Sequence, residues 1–486
     1  MNSSPKPLPS KGEVARALSN LDAYLDTWTD VDGGVHGYII HHHRDYAVVT
    51  APACWTQGLR ILGHLSLHRK TGEERWLDRA EKESIYLASL YEREVHLYHD
   101  STTPLTLINN AWPTLALFKS AQVLREARGG SEELEQVAMD NLRERIIREH
   151  WDNDANTFYF CPVGFHGERV HTHNQTAITI SALTAAAELE GDRNIVDRYA
   201  IPAANHLVVN QNKSGELEGG WGYNDAGSSH LYYYLYTALN TRGLLDLYEY
   251  TSDSRYLDSA ALAGHHLMSM IDPGTKLFSH RYVSGKGKTK RYPYPTMIAA
   301  SGLGLLQIRR LRRHGIELDP GESISELMKW QAQTGGFANF IGSTDIWTPD
   351  LYPCEPDKRK WRDVVCVPFW NVFTYELLVD MLDEGTEIPP PAVRFPYLEE
   401  TDDGYEFQED EDRVTLSVSG RTVSYFDKKR DYMLFSTERM RGVPFGAYPN
   451  CEIATIDKLK RRLKLLLVAG AAASAAVLIL LVLLLL

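Results

Sequence analysis

The sequence predicts a mainly helical protein of six helical hairpins in two concentric rings, followed by a small β-rich appendage and one C-terminal transmembrane helix. Three observations predict it. A turn-and-helix pattern recurs about every sixty residues. Within each repeat a polar amphipathic helix precedes a more apolar one. The chain then ends in 22 residues, Leu465 to Leu486, without a charge.

The repeat is marked by Gly12, Gly72, Gly130, Gly191 and Gly315, with Ser252 at the intermediate place. Thr71, Gly72, Arg75, Trp76, Leu77 and Asp78 align with Thr251, Ser252, Arg255, Tyr256, Leu257 and Asp258. Gly191, Ile195, Val196 and Asp197 form a weaker third copy. Each turn leads into a polar helix with apolar positions at helical spacing, such as 73–92 or 253–270. A longer loop and a more apolar helix follow, over 47–67, 107–126, 173–189, 229–250, 294–312 and 364–382. One hairpin cannot bury its apolar face alone, so the six pairs between residues 12 and 385 must stack side by side. The apolar helices then form the inner ring and the polar helices the outer ring.

This turn into each outer helix, repeated over six hairpins, resembles the six-hairpin glycosidases. That superfamily includes unsaturated glucuronyl hydrolases, N-acylglucosamine 2-epimerases and polysaccharide lyases. The resemblance covers about three quarters of the chain. It implies an (α/α)6 toroid over 12–385 and an enzyme acting on a glycan or uronic acid by hydrolysis, epimerisation or elimination. Isoprenoid cyclases and prenyltransferases also use helical toroids, and Gln331 to Phe337 echoes a cyclase repeat once. Their Asp-rich and zinc-binding motifs are not evident here. A non-catalytic glycan-binding or assembly protein is the other alternative, because function lives in the site rather than the scaffold.

Residues 1–11 are polar and read as a disordered N-terminus. Pro389, Pro390 and Pro391 mark a break, and alternating stretches at 414–419 and 422–426 read as strands, so 386–457 reads as the β-rich appendage and linker. Residues 458–486 combine a basic flank (Lys458, Lys460, Arg461, Arg462, Lys464) with the apolar run. About 20 apolar residues span a bilayer core. Basic flanks stay cytoplasmic, so the sequence predicts a tail anchor with the folded domain on the cytoplasmic side. The sequons at Asn174 and Asn212 would then be unglycosylated. Five scattered cysteines without a CxxC pair argue against a disulfide framework or structural zinc. A net charge of −13 makes nucleic acid a poor partner. No metal or cofactor is predicted.

Topology places the chemistry. Six long loops, 28–46, 96–106, 151–172, 213–228, 273–293 and 334–363, each join an outer helix to an inner one, so they converge on one end of the ring. They are rich in aromatics, His and Asp rather than in ordinary turn residues. Aromatic faces stack on sugar rings, and carboxylates and Arg take hydroxyl or acid groups. Glycosidic cleavage needs two carboxylates, and epimerisation or elimination needs a base. The carboxylate candidates are Asp45, Asp100, Asp225 and Asp363. The acid/base candidates are His171, His173 and His230, each expected at the start of an inner helix. Trp55, Asn110, Trp112, Trp221, Tyr223, Arg281, Tyr282, Trp347 and Arg362 are the candidate substrate-binding residues. Asp100 and Asp225 also fit helix caps or turns. Tyr232, Tyr233, Tyr234 and Tyr236 read as inner-ring packing.

Overall fold

A computed structural model describes residues 8–26, 28–29, 31–42, 45–52, 54–99, 105–162, 169–226, 229–285, 288–331, 335–337, 340–341 and 368–393, with four strands between 405 and 435. The side chains of 36–52, 292–295, 369 and of those four strands are outside the description. The helices are α1 (Lys11–Asp26), α2 (Cys54–Thr71), α3 (Glu74–Ser89), α4 (Ile108–Arg128), α5 (Glu132–Asp140), α6 (Arg148–His150), α7 (His173–Glu190), α8 (Ile201–Asn210), α9 (Tyr234–Thr251), α10 (Ser254–Ser269), α11 (Ser301–Arg313), α12 (Gly321–Met328) and α13 (Pro368–Met381). A π-helical stretch, Asn141–Ile147, joins α5 to α6, and Val196–Ala200 leads into α8.

The helices form six hairpins. Helices α2, α4, α7, α9, α11 and α13 pack in that order, and α13 returns to α2, which closes the inner ring. Of α7 only Glu188 and Glu190 are exposed, as expected of a helix surrounded by protein. Outer α3 instead buries a single stripe, Trp76, Leu77, Ala80, Glu83, Ser84 and Leu87. Inner helices cross closely because small residues sit where they touch. A Cβ at Gly58 would come within 3.0 Å of the Trp112 carbonyl, and one at Gly302 within 2.5 Å of Thr374 Cα.

The turns at the far end repeat sixfold. Each inner helix is followed by a residue in the left-handed region: Gly72, Gly129, Gly191, Ser252, Gly315 and Gly385. The aligned copies share their bonding as well. Thr71 Oγ1 donates to the Leu67 carbonyl and accepts from the Glu73 amide; Thr251 Oγ1 does the same with Leu247 and Asp253. The following Arg lies over the ring of the next residue in both, Arg75 on Trp76 and Arg255 on Tyr256.

Some expectations need correction. The left-handed turn falls on Gly129 rather than Gly130, and Gly12 lies inside α1. Residues 8–10 are ordered at the helix entry: Ser10 and Glu13 form a capping box, the Ser10 amide donating to Glu13 Oε2 at 2.7 Å. Three inner helices start later than their apolar runs. Val48, Val49 and Thr50 lie in a strand, Tyr232 and Tyr233 in another, and Pro293 and Pro295 in a third. β-branched and aromatic residues suit strands, and Pro cannot continue a helix.

Those strands decorate the loops: β1 (His36–His42) with β2 (Asp45–Pro52), β3 (Tyr91–Glu92) with β4 (Leu97–Tyr98), and β5 (Trp151–Asp152) with β6 (Thr157–Phe158). A four-stranded sheet combines β7 (Leu231–Tyr233), β8 (Ser279–Gly285), β9 (Lys288–Met297) and β10 (Phe340–Ile341). Another runs in sequence order through β11 (Tyr405–Glu409), β12 (Arg413–Val418), β13 (Arg421–Asp427) and β14 (Tyr432–Phe435). Among the described residues no helix is long and apolar enough to cross a membrane, and Leu465 to Leu486 lies outside them.

Candidate functional site at the mouth of the toroid

Every inner helix follows an outer one, so all six run in the same direction, with their N-termini and the long loops at one end. The best-formed constellation there joins the third and fourth hairpins. Isolated bridges pair Tyr159 with His171 and Thr172 with Asn224, which sets three chain segments side by side. Asp152 Oδ1 accepts from the amides of Asp154 (2.9 Å) and Ala155 (3.3 Å), and this turn leaves Oδ2 to meet His171 Nε2 at 3.0 Å. On the other side of the ring, Asp225 Oδ2 meets His171 Nδ1, while Asp225 Oδ1 accepts from the His171 amide at 3.0 Å. Tyr159 stacks on the imidazole, centroids 4.8 Å apart, and Arg169 lies over Tyr159.

Electrostatics sort the histidines into two states. Burial opposes charge on His171, but Asp225 and Asp152 outweigh it and raise its pKa. Both carboxylates are held below their ordinary range despite burial, Asp225 by the His171 ring and amide, and Asp152 by the Tyr159 hydroxyl, then by backbone amides and His171. His173 goes the other way: burial lowers it to about 4, against the Gly222 carbonyl that its Nδ1 meets at 2.8 Å. Donation from Nδ1 leaves Nε2 as the basic atom, and that atom is buried with no hydrogen-bond partner among the described residues. His206 of α8 packs between the two, with ring centroids 5.9 Å from His171 and 6.0 Å from His173. Burial, then the charge on His171, lowers its pKa. An imidazole whose two carboxylates favour its charged form thus sits close to one whose burial favours the neutral form, the two tendencies that proton transfer requires.

Beside this rim the β7–β8 register sets Tyr233 opposite Arg281 and Tyr232 opposite Tyr282. Alternation along a strand puts these pairs on opposite faces. On one face Tyr233, Tyr223 and Tyr236 lie 5.0–5.9 Å apart, and at the register shift between Ser279 and Arg281 His280 comes to 5.1 Å from Tyr233. Arg281 Nη1 donates to Tyr233 Oη at 3.3 Å. Burial, then Tyr233, pushes Tyr223 up to about 12. On the other face Tyr282 Oη donates to the Ser269 carbonyl and Tyr232 Oη accepts from Asn212. Across the mouth, Trp55 forms an aromatic wall with Trp370 and Phe373, at 6.4 and 5.7 Å.

Of the sequence candidates, the structure brings together His171, His173 and Asp225 in one cluster and Tyr223 and Arg281 in another. It sets others apart. His230 is exposed and precedes β7 rather than starting an inner helix; its carbonyl accepts from the Ser284 amide. Trp221 donates its indole to the Leu207 carbonyl, and Tyr282 faces the outer ring. Asn110 donates to the Thr106 carbonyl and accepts from Asn141 of the outer layer, which fixes the start of α4. Trp112 is buried on the lumen axis. Asn174 is buried in the first turn of α7, an inaccessible place for a glycan. Asp45 is described only as backbone, and Asp100, Asp363, Trp347 and Arg362 lie outside the described residues. Asp152, His206, Tyr233, Tyr236 and His280 went unselected. Asp152 carried a signal, the turn-forming run Asp152, Asn153, Asp154; His206 carried none, because it lies on an outer helix.

No family model and no curated protein sequence matches the chain. Solved structures do match. Cellobiose 2-epimerase from Bacillus thermoamylovorans superposes with a TM-score of 0.55 at 11% identity, covering 76% of this chain and 99% of that one. The chain has the six-hairpin toroid fold. A sugar epimerase from a ruminal bacterium gives 0.54 at 14% identity, over 77% and 99% of the two chains. An unsaturated glucuronyl hydrolase specific for heparin gives 0.50 at 13%, over 77% and 99%. In this toroid, then, the clusters around His171 and Tyr233 occupy the end where the inner helices begin.

Proposed function

We propose that the chain is a carbohydrate-active enzyme that performs acid/base chemistry at the mouth of its toroid. The observation that carries this reading is His171 held between Asp152 and Asp225, with its pKa raised, in one cluster with His173, whose pKa is lowered to about 4. The tyrosines at 223, 233 and 236 give sugar rings a surface to stack on, and the wall at Trp55 faces them. The structural neighbours named above are sugar epimerases and a glycan hydrolase, which supports the same class of substrate. Within it, His171 and the two carboxylates that hold it form the acid/base group, with His173 beside them, an arrangement that serves hydrolysis, epimerisation or elimination. The segment 465–486 anchors the domain at the cytoplasmic face of a membrane, where a lipid-linked glycan would be concentrated around the site.

The test is a mass-spectrometric screen of the full chain in detergent against oligosaccharides, unsaturated uronides and lipid-linked glycans, beside His171→Gln and Asp225→Asn. A product formed by the wild type and lost in both variants supports the enzyme. Saturable glycan binding without any product, retained by both variants, would instead favour the non-catalytic alternative. Deleting 458–486 should move the protein to the soluble fraction, and unchanged membrane association would remove the anchor from the proposal.

A further inference from the structure

The hairpin of β8 and β9 departs from the charge of its protein. Residues 279–297 contain Arg281, Lys286, Lys288, Lys290 and Arg291 and no carboxylate, in a chain of net charge −13. Register divides these cations. Arg281 pairs with Tyr292, Val283 with Lys290 and Gly285 with Lys288, so Arg281, Lys290 and Lys288 share one face with Tyr233. Arg291, opposite Tyr282, falls on the other face, where it meets Asp272 at 3.4 Å and Ser279 Oγ at 3.0 Å. Exposure is graded along the cationic face: Arg281 is buried beside the tyrosines, while Lys290 and Lys288 are exposed toward the tip. Four residues of strand advance about 13 Å. A ligand lying along this face would put a ring against Tyr233 and an anionic group against the lysines.

We propose that this face of β8 and β9 binds a phosphate group carried by the glycan that enters the mouth, a reading that rests on the proposed carbohydrate function. A phosphate offers several charged acceptor oxygens to donors spread over more than one residue. The fork of Arg281 sits where the sugar-proximal oxygens would lie, and Lys288 and Lys290 follow the group outward.

The experiment is titration calorimetry of the full chain in detergent with a panel of hexose 1-phosphates, the parent hexoses and inorganic phosphate. A Lys288→Glu, Lys290→Glu variant, whose folding is checked by its melting curve, is titrated alongside. The wild type should bind a hexose 1-phosphate roughly ten-fold tighter than the parent hexose, with the advantage shrinking at higher salt and lost in the variant. Equal affinity for both ligands, or an advantage that survives in the variant, overturns the proposal and leaves the carbohydrate reading standing. Binding of inorganic phosphate, lost in the variant, with no contribution from any hexose upholds the phosphate site and counts against the carbohydrate reading. A third arm measures binding to phosphatidylcholine vesicles with and without phosphatidylglycerol. If the variant loses only the phosphatidylglycerol preference, the stripe reads the bilayer surface and the proposal falls.

Discussion

Arg242 of α9 and Glu376 of α13 meet at 2.9 Å, with the Arg242 guanidinium 4.7 Å from the ring of Trp112 of α4. Helices α4, α9 and α13 are alternate members of the inner ring, so these side chains can touch only across the lumen. From there the ion pairs continue down the axis, Asp246 to Arg310 at 2.7 Å and Arg310 to Glu249 at 2.8 Å. Burial raises the Glu376 pKa, against the pull of Arg242.

Removing Glu376 strips the buried Arg242 of its nearest carboxylate and leaves it Asp246 at 4.0 Å. Glu376→Ala should cost about 3–5 kcal/mol in denaturant unfolding. A double Arg242→Met, Glu376→Met variant should lose less than the two single variants combined. Strict additivity would show that the two residues do not act as a pair.

The His171 bridge makes stability depend on pH with a definite sign. Its pKa is raised in the folded state, so its contribution is complete below the unfolded value of about 6.5 and is lost as pH rises through the folded value. Buried His64, held by Glu83 at 3.1 Å and Asp22 at 3.3 Å, is raised as well and has the same sign. Thermal melts of the wild type and His171→Gln should therefore converge as pH rises above about 6.5. A gap that widens with pH would contradict the bridge.

Ser252 is the non-glycine among the left-handed residues that end the inner helices, at φ 59°. The left-handed region strains an L-residue, so Ser252→Gly should stabilise by about 0.5–1 kcal/mol, after the extra freedom of glycine in the unfolded chain is offset. A melting temperature that falls would mean that the Ser252 side chain contributes more than the strain it carries.

Gly243 lies where α9 crosses α7, and a Cβ there would run into the Ala177 carbonyl. Backbone cannot give way as a side-chain end can, so Gly243→Ala should cost about 1–3 kcal/mol. Alanine at Gly130, where a Cβ meets nothing, should change stability by less than about 0.5 kcal/mol.

The fold was largely legible in local chemistry. A helix surrounded by protein must be apolar all round and an outer one needs only a stripe, so α7 and α3 declare their rings in their own residues. The left-handed caps are equally local, because φ is decided by Cβ sterics at Gly72 or Gly191. The same information names the mouth, since chain order alone puts every outer-to-inner loop at one end. What the order of residues could not supply is which loop side chains meet. Asp152 and Asp225 are 73 positions apart and become partners only because His171 lies between them in three dimensions. His206 joins them from an outer helix, and Trp112, Arg242 and Glu376 converge only because the ring closes. Periodicity determines which face each helix buries; packing between distant helices decides which buried groups touch, and with that which histidine has its pKa raised and which has it lowered.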